Sequence, residues 1–150
     1  MSSAPGPLIL CLGNPDRGDD AAGPLVARRL GEMSVTACAL DGDPLVLLDA
    51  WRVGEHVVVV DAVVTGRTPG AVSVYDALTA PLTVPALRSS SHALGLAEAV
   101  ALARTLGRVP GSLTLYGIEG RRFDLFTPPS KAVLRAVERV ARRIHEHRAH

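Results

Sequence analysis

Leu8-Ile9-Leu10-Cys11-Leu12-Gly13-Asn14-Pro15-Asp16-Arg17-Gly18-Asp19-Asp20-Ala21-Ala22-Gly23-Pro24-Leu25-Val26-Ala27-Arg28-Arg29-Leu30 reads as an apolar run of strand length, a glycine-rich turn and an amphipathic run. That order is strand, turn, helix. In open α/β proteins the crevice at the carboxyl ends of the strands is where ligands bind. A phosphate-binding loop would offer bare amides and a lysine there. This turn offers three carboxylates, Asp16, Asp19 and Asp20, which repel a phosphate and attract a cation. The chemistry points to a metal or a cationic substrate.

Outward from that turn, branched apolar runs predict further strands at Val35 to Leu40, His56 to Val60 and Ser112 to Tyr116. Ala71 to Tyr75 alternates after the turn Gly66-Arg67-Thr68-Pro69-Gly70, the pattern of a half-exposed edge strand that can run antiparallel. Helical spacing covers Asp20 to Leu30, Pro44 to Arg52, Ser91 to Leu106 and Ser130 to His147. Leu45, Leu48 and Trp51 form the expected inner face of the second. Leu96, Val100, Ala103 and Leu106 serve the third, and Val133, Leu134, Val137, Val140, Ala141 and Ile144 the last. Strands alternating with helices predict a three-layer α/β/α sandwich, with a five-stranded, mostly parallel, twisted sheet and helices on both faces.

A length of 150 residues fits one domain, expected over residues 8–150, with residues 1–7 disordered. Sixteen basic residues against fifteen acidic ones leave no global field to draw in nucleic acid or an anionic membrane. Aromatics at 3% supply few stacking platforms for bases. No basic leader precedes a long apolar stretch, so no signal peptide is expected. No apolar run approaches the roughly eighteen residues that span a bilayer. A cytoplasmic monomer is the expectation. Cys11 and Cys38 fall in apolar runs and read as buried, inert thiols ahead of a disulfide.

With the strands placed, the conspicuous polar residues fall on one edge. Asp16, Asp19 and Asp20 follow the first strand, Asp41 the second, Asp61 the third and Glu119 the fourth, while His92 starts a helix. Each has an ordinary alternative. Asp19, more readily than Asp20, reads as a helix cap. Asp61 ends a run of four valines and reads as a desolvated acid that needs a partner, with a turn role as its alternative. His92 sits where the helix dipole disfavours imidazolium, so a neutral ring keeps a lone pair. Two carboxylates and one imidazole make an O/O/N ligand set with open positions. Ser89, Ser90 and Ser91 beside His92 lack a nucleophile elbow, and Ser91 reads as a cap. No His-Glu-x-x-His motif is present. His145, His147 and His150 read as solvated surface, and Arg142, Arg143 and Arg148 suit a helix C-terminus.

These residues resemble the hydrogenase maturation endopeptidases, nickel-dependent processing proteases. Gly13-Asn14-x-x-x-Gly18-Asp19-Asp20-x-x-Gly23, Asp41-Gly42, Val60-Asp61-Ala62, Ser91-His92-x-Leu94-Gly95-Leu96 and Leu115-Tyr116-Gly117-Ile118-Glu119 occur in the family's order over about residues 8–145. The resemblance implies a sheet flanked by helices. It also implies removal of a short C-terminal extension from the nickel-loaded large-subunit precursor of a nickel–iron (NiFe) hydrogenase. Position by position it assigns Asp20, Asp61 and His92 as a metal-binding and catalytic trio that engages the nickel the substrate presents. Asp16, Asp41 and Glu119 are auxiliary candidates for a general base, and no organic cofactor is implied. The chain departs from the family at Asp20, where some members have Glu, and at Asp41-Gly42-Asp43, commonly Asp-Gly-Gly. It departs again at Gly120-Arg121-Arg122, where proline often stands. Two other classes compete. One is a non-catalytic binding or chaperone module for the precursor. The other is a nucleotide-binding α/β protein, against which the acidic first loop and the missing Gly-x-Gly-x-x-Gly pattern count.

Overall fold

The structure, a computed structural model, describes residues 6–79 and 91–147, with backbone alone over 91–94. Ser89, Ser90, Arg148, His150 and most of the stretch expected to be disordered lie outside the described residues. The strands are β1 (Leu8–Leu12), β2 (Cys38–Leu40), β3 (His56–Val63), β4 (Val72–Asp76) and β5 (Ser112–Glu119). The helices are α1 (Ala22–Glu32), α2 (Pro44–Ala50), α3 (Ser91–Leu106) and α4 (Lys131–His147). The sheet order is β2-β1-β3-β5-β4, parallel except for the antiparallel β4–β5 pair. The chain leaves β1 toward β2 on one side and returns to β3 on the other. The crevice between β1 and β3 is therefore the topological switch point of the sheet.

Alternation along the strands divides the core into two layers. Ile9 and Cys11 of β1, Val60 and Ala62 of β3, and Tyr116 and Ile118 of β5 pack on one face with Val26, Leu30, Val137 and Ile144 of α1 and α4. Leu10 and Leu12, Val57, Val59 and Val63, and Leu113 and Leu115 pack on the other with Leu47, Leu48, Leu96 and Val100 of α2 and α3. Trp51 closes this second layer, fully buried, its indole N–H donating to the Arg108 carbonyl at 3.0 Å. Each such buried side chain contributes about 1.5–3 kcal/mol of hydrophobic stabilisation.

The boundaries moved where neighbours decide them. β3 and β5 run to Val63 and Glu119, three residues further than the valine and leucine runs indicate, because they pair in register from His56↔Ser112 to Val63↔Glu119. β2 shrinks to three residues and leaves Cys38 exposed. Only Cys11 is the buried thiol, and desolvation pushes its pKa up to about 12. Leu45 in the first turn of α2 and Leu106 at the end of α3 are mostly exposed, and Leu134 is 44% exposed. Each lies beyond the strip that its neighbouring layer covers.

Candidate active site

The turn after β1 closes back on itself through glycines. A Cβ at Gly13, whose φ is +144°, would lie 2.1 Å from the Asp20 carbonyl oxygen. One at Gly23 would lie 2.0 Å from that of Leu12. The side-chain-free positions let the start of α1 rest on the end of β1. Gly18–Ala21 forms a single 3-10 turn ahead of α1 and packs against β3. Asp20 in that turn is 3% exposed, and its Oδ2 accepts the Asn14 N–H at 3.0 Å.

Asp19, one residue earlier, has a different duty. It is fully buried, and its carboxylate accepts the Arg121 N–H at 2.8 Å, the Arg122 N–H at 3.1 Å, the Ser130 N–H at 2.7 Å and the Ser130 hydroxyl at 3.0 Å. Burial alone would raise its pKa, but these hydrogen bonds from Ser130, Arg121 and Arg122 outweigh burial and hold it below the ordinary carboxylate value. The expected capping role fails: the residues flanking the 3-10 turn and α1 make no side-chain cap hydrogen bond. Asp19 instead clasps the segment between β5 and α4 onto the first loop. Backbone bonds complete the clasp, from Asp19 N–H to the Arg122 carbonyl at 2.7 Å and from Gly18 N–H to that of Thr127 at 3.0 Å.

Asp61 is 2% exposed and lies within β3, paired in register with Gly117, so it does not follow the strand as its sequence position suggested. Val57, Val59 and Val63 face the α2/α3 layer. Asp61 shares their parity and projects to that same side. His92 is the second residue of α3 on that side, and its side chain lies outside the described residues. The start of α3 is held close to the loop after β2, since a Cβ at Gly95 would lie 1.9 Å from the Gly42 carbonyl oxygen. Asp20 and Asp61 thus border the β1/β3 switch crevice, and the start of α3 lies against the loop after β2.

The auxiliary acids separate. Glu119, 2% exposed, accepts the Thr65 N–H at 2.8 Å and the Thr65 hydroxyl, and its backbone ties Gly70 and Ala71. It pins the β3–β4 loop. Asp41 is exposed and accepts the Asp43 N–H at 3.2 Å, while Asp43 caps α2 by accepting from Leu45 at 2.8 Å with Pro44 at the first helical position. That cap accounts for Asp43 standing where glycine is common. Asp16 is exposed on the rim. Sequence reading missed the partnerships of Asp19 and Glu119, because the donors lie 102–111 and 54 residues away in the chain.

Two buried carboxylates bordering a switch crevice supply oxygen donors of the kind that bind a divalent cation. Among the described side chains no three His, Cys, Asp or Glu cluster closely enough to hold a metal ion. With the imidazole of His92 the donors would make an open O/O/N set, fitted to a metal whose other ligands come from elsewhere.

Residues 40–147 match the family model described as hydrogenase maturation protease. The chain is 33% identical over 131 residues to the hydrogenase expression/formation protein HupD of Thiocapsa roseopersicina, covering 84% of this chain and 59% of that protein. It therefore spans less than two thirds of that relative's length. The solution structure of an endopeptidase from Escherichia coli superposes with a TM-score of 0.75 at 26% identity, over 91% of this chain and 89% of that one. The maturation protease HybD of Thermococcus kodakarensis shares the fold, with a TM-score of 0.71 at 24% identity over 94% and 97% of the two chains.

Proposed function

The chain belongs to the hydrogenase maturation protease family, and from that premise we propose that it is an endopeptidase acting on the nickel-loaded large-subunit precursor of a NiFe hydrogenase. It removes a short C-terminal peptide. The observation that carries this reading is the pair of buried acids, Asp20 and Asp61, bordering the β1/β3 crevice.

In this reading Asp20, Asp61 and His92 engage the nickel that the substrate's own ligands already hold, and this recognition docks the scissile bond beside the sheet edge. A metal so bound polarises a carbonyl or a water as a Lewis acid. Water adds to the scissile carbonyl, the C–N bond breaks, and the departing amine takes up a proton. Glu119 is committed to Thr65, so the general base falls to an exposed acid, Asp16 or Asp41. Rate profiles against pH for Asp16→Asn and Asp41→Asn identify it, since the base's variant loses the acid limb. The near balance of basic and acidic residues supports a protein partner over nucleic acid or an anionic membrane. No helix among the described residues is long and apolar enough to cross a membrane. The reading takes the enzyme to be a cytoplasmic monomer.

Intact mass of the precursor after incubation with the protein, with and without nickel loaded, tests the proposal. Loss of a short C-terminal peptide from the loaded sample alone is expected. A stable complex without trimming, with the precursor proven competent by another processing enzyme, would overturn the protease reading in favour of a binding module.

A further inference from the structure

The segment between β5 and α4 carries an apolar knuckle that neither the core nor the buried acids use. Phe126 is 84% exposed and Leu125 58% exposed, in a chain with one tryptophan, two tyrosines and two phenylalanines. The other phenylalanine, Phe123, packs against the α1/α4 layer. One short segment therefore tucks one ring in and holds the other out.

The outward ring is held in an unfavourable backbone. Phe126 has a φ of +61°, a left-handed conformation that is an outlier for a bulky residue. Such a conformation persists where its surroundings over-determine it. Here they do: Phe126 N–H donates to the Asp16 carbonyl at 2.6 Å, Arg17 Nε to the Phe123 carbonyl at 3.2 Å, and the Thr127 hydroxyl to the Asp124 carbonyl at 2.7 Å. The buried Asp19 clasp fixes both ends of the segment. A backbone fixed before contact spares the loop-ordering entropy that docking would otherwise cost. Arg121, Arg122 and Asp124 of the same segment and Asp16, whose carbonyl accepts the Phe126 N–H, are exposed polar residues, and an aromatic side chain among polar neighbours is the composition of a binding hot spot.

Phe126 N–H donates to the Asp16 carbonyl, in the same loop that carries Asp20, so a folded substrate that closes over this loop meets the knuckle. We propose that Phe126, with Leu125, is the docking anchor for the precursor protein, inserting into an apolar hollow on its surface beside the segment to be cut. The anchor acts on affinity and choice of precursor, not on the chemical step. The inference rests on the protease reading above.

Steady-state processing of the nickel-loaded precursor by the wild type, Phe126→Ala, Phe126→Gly and Val53→Ala tests it, together with each melting temperature. Phe126→Gly suits the left-handed φ and is expected to melt no lower than the wild type. Both Phe126 variants should raise KM about tenfold or more while kcat stays within about twofold. Val53, 67% exposed at the opposite edge, should change neither. An unchanged KM in Phe126→Gly, or a fall in kcat alone, overturns the docking role while leaving the protease reading intact. A wild type that trims no competent precursor overturns both.

Discussion

The two edges of the sheet treat their charged residues in opposite ways. At the amino edge polar groups stay at the surface: Glu55 accepts the Arg52 N–H at 3.0 Å across a turn, and His56 meets Ser112 at 2.8 Å in the open. At the carboxyl edge Asp19, Asp20, Asp61 and Glu119 are all at most 3% exposed. Desolvating four acids is costly unless each finds donors or a cation. Two of them, Asp19 and Glu119, spend their oxygens bracing loops. The other two border the switch crevice. An acid's burial therefore does not by itself mark a catalytic group. Asp19 and Glu119 show this through donors that only the fold brings to them.

The contrast is broken most severely by removing the crevice acids. Asp61→Ala and Asp20→Ala should each reduce precursor trimming by about 100-fold or more, since even outer-shell losses at metal sites cost 10–100-fold. Circular dichroism should show the fold retained, and trimming by either variant at the wild-type rate would overturn the proposed role of that acid. Next in size is Asp19→Ala, which leaves buried donors unanswered and should cost about 3–5 kcal/mol in denaturant unfolding. Gly95→Ala follows. Its new Cβ meets the Gly42 carbonyl, and displacing α3 should cost about 1–3 kcal/mol.

Acid sharpens the same contrast. Asp19 has a folded pKa below its unfolded value of about 3.9. Its contribution to stability is therefore complete above that pH and is lost as pH falls through the folded value. Asp19→Asn should flatten this acid limb in unfolding measured at stepped pH. At the amino edge, Glu55→Gln should move stability by no more than about 0.5 kcal/mol at any of these values.

Much of this was legible in the chain. Leu8 to Leu12 followed by a glycine turn gave the first strand, and the alternation after Gly70 marked the antiparallel edge. The gathering of Asp20, Asp61 and Glu119 on one edge followed from strand order in the sequence. What was hidden is whatever a distant segment decides. Asp19 and Asp20 are adjacent and chemically identical, and only the arrival of Arg121, Arg122 and Ser130 tells them apart. Asp61 looked like a strand end because its partner Gly117 is invisible from its own neighbours. The long reach of β3 depends on β5 in the same way. His92 is placed at the head of α3 by backbone, which is where its spacing from the serines had put it.

The shortness of β2 has a practical consequence at the bench. It leaves Cys38 at the surface, while Cys11 lies sealed in the core with its thiol pushed up to about 12. The chain holds two cysteines in all. A maleimide dye at neutral pH should therefore attach once, to Cys38, on an edge strand beside the loop of Asp41 and Gly42. The wild-type protein comes with a single built-in address for a fluorophore, from which the approach of a precursor can be watched without altering any residue.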